Sequence, residues 1–105
     1  MNTSMPSHYQ KVKKMYPEFI DSAEALGETI KQAGPLDNKT AHLVQLAAAV
    51  ADKSEGAVHS HARQLLQLGA SAEEIRHAIL LLTSTIGFPT VMAGLCWAND
   101  IIEAK

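Results

Sequence analysis

The side chains in this 105-residue chain best suited to proton, nucleophile or metal chemistry are five histidines and one cysteine. His61 stands in the run Lys53-Ser54-Glu55-Gly56-Ala57-Val58-His59-Ser60-His61-Ala62-Arg63. Wound as an α-helix at about 100° per residue, the run puts Ser54, Ala57, Val58, His61 and Leu65 on one side. Glu55, His59 and Arg63 form a second line, well round from His61. An imidazole can give and take protons near neutral pH, which makes His61 and, in the preceding helix, His42 residues to follow. His59 and His61 are two apart and diverge on a helix, whereas chelation of one ion wants a spacing of three or four. Zinc would need a cross-helix pair such as His42 with His61, plus a carboxylate or water. The expectation is therefore no metal and no cofactor. Glu55 with His59 and Glu73 with His77 have the spacing of surface pairs, and His8 reads as surface. Cys96 is the sole cysteine, which excludes an intrachain disulfide and a Cys-x-x-Cys pair. It reads as a small buried apolar residue.

The elements that position these residues are helices. Tyr9, Val12, Lys13 and Tyr16 fit a short amphipathic helix from about Ser7, and Pro17 ends it or starts another. Phe19, Ile20, Ala23, Leu26 and Ile30 make the apolar stripe of a second helix, opposite Asp21, Glu24, Glu28 and Lys31. Gly34-Pro35 stops it. Asp37 is a credible N-cap for a third helix over about residues 38–52, whose centre is apolar on nearly every side and so calls for burial in the domain or between subunits. The fourth helix begins near Ser54 and stops at Gly69. Ser71 and Glu74 form a capping box for a fifth helix carrying Ile75, Ile79, Leu80, Leu82 and Ile86. Gly87-Phe88-Pro89 precedes a last helix with Val91, Met92, Leu95, Cys96, Ile101 and Ile102. Trp97 and the methionines read as core or interface. The fold class is all-α: a compact bundle of about six helices in one domain, 1–105.

Bulk properties narrow the partners. A net charge of -2 without charge blocks gives no reason to expect nucleic acid or an anionic membrane. The longest apolar runs fall far below the roughly 18 residues of a membrane span. Residues 1 to 6 are polar, expected to be loose, and unlike a signal peptide, so the expected address is cytoplasmic. A short chain poor in aromatics gains burial by oligomerising.

Taken in order, the Ala-rich helix, the histidine at fixed spacing, Gly-Ala-Ser-Ala-Glu-Glu-Ile at 69–75 and the Gly-Phe-Pro break resemble the signature of the carboxymuconolactone decarboxylase family. The resemblance covers about residues 36 to 102 and leaves the helices at 7–33 outside. That family includes alkylhydroperoxidase D-like proteins, and it implies a helical homo-oligomer, trimer or hexamer, with the active site near His61 and close to a subunit boundary. Redox relatives carry Cys-x-x-Cys where this chain has Ser54 and Ala57, and a glutamate where it has His42. Thiol peroxidase or disulfide reductase activity is therefore not expected, and thiol chemistry at Cys96 would lack a second sulfur. The decarboxylase branch keeps the histidine without the cysteines. The resemblance thus implies a cofactor-free lyase acting on a small carboxylated lactone or related small-molecule substrate, with His61 as general acid/base and His42 beside it. Arg63, Arg76 or Lys53 would meet the substrate carboxylate, and Ser54, Glu55 and His59 would join Arg63 in binding substrate. The alternative is a catalytically degenerate oligomeric binding or scaffold protein.

Overall fold

In the computed structural model residues 7 to 104 are described, and all regular structure among them is helical: α1 (Ser7–Met15), α2 (Pro17–Lys31), α3 (Asn38–Ala51), α4 (Glu55–Gln67), α5 (Ala72–Leu80), α6 (Thr83–Ile86) and α7 (Phe88–Ile102). The expectation of a loose start at residues 1 to 6 falls outside the described residues. The chain divides into two units, one ending at Asp37 and one beginning at Asn38.

The first unit holds α1 and α2, which pack on each other. Pro17 sits in the first turn of α2, where its missing N–H costs nothing. The Tyr9 hydroxyl donates to Glu24, and Lys13 lies 3.4 Å from the same carboxylate. The Glu24 contact pushes the Tyr9 phenol up to about 12, and the same hydrogen bond, aided by Lys13, lowers the Glu24 carboxyl. The apolar stripe of α2 is less buried than its periodicity suggests. Only Ile20 is buried, while Phe19, Leu26 and Ile30 are each more than half exposed.

In the second unit α4 packs against both α3 and α7, and α5 packs on α3 and α7. The core is built from Leu46 and Val50 of α3, Val58 and Leu65 of α4, Ile75 and Ile79 of α5, and Val91 and Ala98 of α7. Each fully buried Val, Leu or Ile contributes about 1.5–3 kcal/mol. Within one chain, helix α3 is buried on one side, which leaves burial between subunits as the other part of the expectation. His42, Leu46, Ala49 and Val50 face inward, but Val44 is 56% exposed and Ala48 is exposed. The fifth helix is also shorter than its apolar pattern implies. It stops at Leu80, a turn follows at Leu81-Leu82, and the separate one-turn α6 ends at Gly87. That makes seven helices among the described residues. Gly87 has φ +96°, a conformation closed to most side chains, and this lets α7 start directly at Phe88. Cys96, expected to be buried, is exposed, while Trp97 packs partly buried against the core.

The turn between α4 and α5 follows its local code. Gly69 has φ +90°, and the Ser71 Oγ accepts from the Glu74 N–H at 3.0 Å while the Ser71 N–H donates to Glu74 Oε1 at 2.9 Å. Ser71→Ala is expected to cost about 1 kcal/mol, read as a lower urea midpoint at unchanged slope. The Ser71 backbone N–H, then Lys39 at 2.9 Å, hold the Glu74 carboxyl below its ordinary 4.5. A carboxyl lowered in the folded state stabilises that state above its unfolded pKa and loses the contribution as pH falls through the folded value. Glu74→Gln keeps the box but removes the charge. Melting temperatures from pH 7 to pH 3 are expected to fall less steeply below about pH 4.5 in this variant than in the parent.

Candidate functional site

The two histidines singled out by the family resemblance meet where α3 packs on α4. The Nδ1 atoms of His42 and His61 are 3.1 Å apart, the ring centroids 5.3 Å apart, and the planes tilted by 50°. This is a hydrogen bond rather than a stack. Two nitrogens at that distance need one proton between them, so one Nδ1 donates and the other accepts. A pair of neutral rings then carries hydrogen on one Nε2 and none on the other. A proton taken at the unprotonated Nε2 lets the Nδ1 proton pass to the neighbouring ring. His42 is 3% exposed and His61 only partly buried, so His61 is the more accessible ring and His42 stands behind it.

The other sequence candidates do not all join this pair. Ser54 is the N-cap of α4, its Oγ accepting from the Ala57 N–H at 3.3 Å. His59 leaves α4 toward α7, where its Nε2 lies 3.0 Å from Asp100 Oδ2 and 4.0 Å from Glu55 Oε2 of its own helix. Glu55 and His59 thus group with Asp100, whereas His61 turns to α3. Arg63 is partly buried on α4. The Arg76 Nε donates to Asn99 Oδ1 at 2.9 Å and its guanidinium lies 3.5 Å from Glu103, so α5 is tied to α7 by the cation considered for a substrate carboxylate. An open depression over α5, lined by Ser71, Glu73, Glu74, Arg76, His77 and Leu80, contains neither histidine of the pair. Lys53 is exposed in the α3–α4 turn at φ +56°.

Two residues escaped the sequence reading. Asp100 lies 41 positions from His59, and no local pattern links them. Gln45, one turn along α3 from His42, buries its Oε1 without a hydrogen-bond partner among the described residues, an arrangement that ordinarily costs about 1–3 kcal/mol. Its i+3 spacing from His42 was the available signal.

Fold and site together define a class of small all-helical domain: an Ala-rich helix, then a helix bearing the inward histidine, then a capped turn and a Gly-x-Pro start. The chain belongs to the carboxymuconolactone decarboxylase family, whose family model, "Carboxymuconolactone decarboxylase family", matches residues 17–100. That match begins at the start of α2 and so reaches further back than the resemblance read from residues 36 to 102. The chain is 32% identical over 78 residues to the uncharacterized protein MJ1511 of Methanocaldococcus jannaschii, covering 74% of this chain and 73% of that one. It is 33% identical over 71 residues to an uncharacterized protein of Haemophilus influenzae, covering 61% of this chain and 63% of the relative. Among solved structures it resembles apo-lpg0406, a carboxymuconolactone decarboxylase family protein from Legionella pneumophila. The TM-score is 0.77 at 28% identity, over 92% of this chain and 86% of that one.

Proposed function

We propose that this protein is a cofactor-free acid–base enzyme of the lyase type acting on a small carboxylated lactone or a related metabolite. The observation that carries the reading is the Nδ1–Nδ1 contact of His42 and His61 at 3.1 Å, with His61 the more accessible ring. In the proposed reaction the bond between the substrate carboxylate and its carbon breaks. CO2 leaves, and the electron pair passes into the conjugated lactone as a dienolate. His61 delivers a proton to carbon and regains one from water, so the balance is carboxylate plus proton to product plus CO2. His42 is a positioning residue that fixes the ring of His61 and exchanges the Nδ1 proton with it. Arg63 lies well round α4 from His61, so as the carboxylate's cation it would serve the site of a neighbouring subunit, while Lys53 adjoins α4 at its start. Family membership supports the reaction class, and the single cysteine argues against a dithiol cycle.

The test is CO2 release from γ-carboxymuconolactone and related carboxylated lactones by the intact protein and by His61→Ala. Turnover lost in the variant supports the proposal. Turnover that survives removes His61 from the reaction, and silence in both favours the second reading, an oligomeric binding or scaffold protein. That reading draws on the apolar side chains Val44, Leu80, Leu81, Phe88 and Met92, each about half exposed or more. Side chains of this kind gain from burial in a partner surface, and a trimer or hexamer of this chain is the assembly we propose for either reading. Light scattering on the purified protein is expected to give a mass of three or six chains; a monomer at micromolar concentration would contradict the assembly. No helix among the described residues is long and apolar enough to cross a membrane, which accords with the cytoplasmic address we propose.

A further inference from the structure

The second histidine of α4 is built into a different arrangement from the first. Glu55 and His59 are four apart on α4, so they share a face, and Asp100 comes from the last turn of the neighbouring α7. One ligand atom from each residue lies within 4.8 Å of the other two. The His59 Nε2 is 3.0 Å from Asp100 Oδ2 and 4.0 Å from Glu55 Oε2.

We propose that Glu55, His59 and Asp100 form a binding site for a divalent first-row transition ion of the zinc type. Such an ion takes imidazole nitrogen and carboxylate oxygen at about 2.0–2.2 Å. Tetrahedral angles then set neighbouring donors about 3.4 Å apart, and the two distances to His59 bracket that value. The adjustment needed is small, because the Glu55 and Asp100 carboxylates are exposed and the His59 ring is 25% exposed. The imidazole is what separates this group from an ordinary acidic patch. It supplies the nitrogen donor that favours zinc-type ions over calcium or magnesium, which want oxygen alone. Three protein donors leave at least one position for water or another ligand. A bound ion would also join the start of α4 to the end of α7. The site differs from the cross-helix His42–His61 arrangement considered from the sequence, and it rests on no reading of the protein's activity.

The test is titration of the full chain, carrying no polyhistidine tag, with zinc alone by calorimetry, and with cobalt followed by its visible absorption. One saturable ion per chain with micromolar affinity is expected. His59→Ala is expected to abolish saturable binding. Asp100→Asn and Glu55→Gln are each expected to weaken it by at least about tenfold, since loss of even an outer-shell partner costs about 10–100-fold. Both of these are conservative changes at exposed positions, so they report on the site even if His59→Ala alters the fold. Absence of stoichiometric binding, or binding unchanged in His59→Ala and Asp100→Asn, would overturn the proposal and leave His59 as the centre of a surface ion-pair cluster.

Discussion

His61→Gln is expected to lower kcat for a turned-over lactone by about 10²–10⁴-fold, the usual contribution of a positioned general acid or base. The KM is expected to change little, because glutamine keeps a polar group of similar reach while removing only the proton exchange. The buried partner should behave differently. His42 makes its contact through Nδ1, and asparagine can place an amide near the same point, so His42→Asn is expected to retain part of the activity. His42→Ala leaves the His61 Nδ1 without that partner and is expected to lose more. A merely structural role for His42 would lower stability without this split between asparagine and alanine. The double variant gives a further check: if the two rings act as one unit, the combined loss will fall well short of the product of the single losses. Losses that multiply would mean that the histidines act independently.

Gly94→Val is expected to be the most destabilising single change considered, at or above the upper end of the about 1–3 kcal/mol typical of overpacking. A Cβ at position 94 would lie 2.7 Å and 2.9 Å from the two methyls of Val50 and 3.4 Å from a methyl of Ile79. Val50 and Ile79 are fully buried, and a β-branched valine has little rotamer freedom with which to yield. Alanine should be milder. It meets the same methyls but recovers about 1 kcal/mol of helix propensity relative to glycine, whereas valine adds two more methyls to a filled space. Urea unfolding at neutral pH checks the order Gly94, then Ala, then Val. Val50→Ala placed in the Gly94→Ala background removes the clashing methyls and should restore part of the loss. Additive destabilisation in that pair would place the strain elsewhere. The contact bears on the site, because Gly94 lets α7 close on α3, the helix that presents His42.

What the sequence disclosed follows the range of the interactions. The capping box of Ser71 and Glu74, the glycine ends at Gly69 and Gly87, and Pro17 at the start of α2 are local codes read within a few residues. The division of α4 into a His61 side and a His59 side follows from helix geometry. Side-chain periodicity told which residues share a face but not what covers it: within one chain the α2 stripe is largely exposed, and so is the outer side of α3, for which burial between subunits was the other expectation. The break after Leu80 was hidden by the run Leu80-Leu81-Leu82, which has no residue that stops a helix. Burial of Cys96 was expected from the habit of its residue type, whereas its place on α7 leaves it exposed. The pairing of His59 with Asp100 and the approach of Gly94 to Val50 depend on how helices pack across more than forty residues, for which a single chain carries no local signal. His42 and His61 fall between these cases. The family spacing suggested two facing imidazoles, and the packing of α3 on α4 brings them into direct contact.

That contact is the centre of the account, and nitrogen NMR of the histidine rings tests it most directly. With ¹⁵N-labelled protein and long-range proton correlations, the account predicts one Nδ1 of the pair as a protonated, pyrrole-type nitrogen and the other as a pyridine-type acceptor. The pattern should disappear in His42→Asn. Two pyridine-type Nδ1 nitrogens, with each ring carrying its proton on Nε2, would mean that no proton lies between them. The paired acid–base reading would then be contradicted.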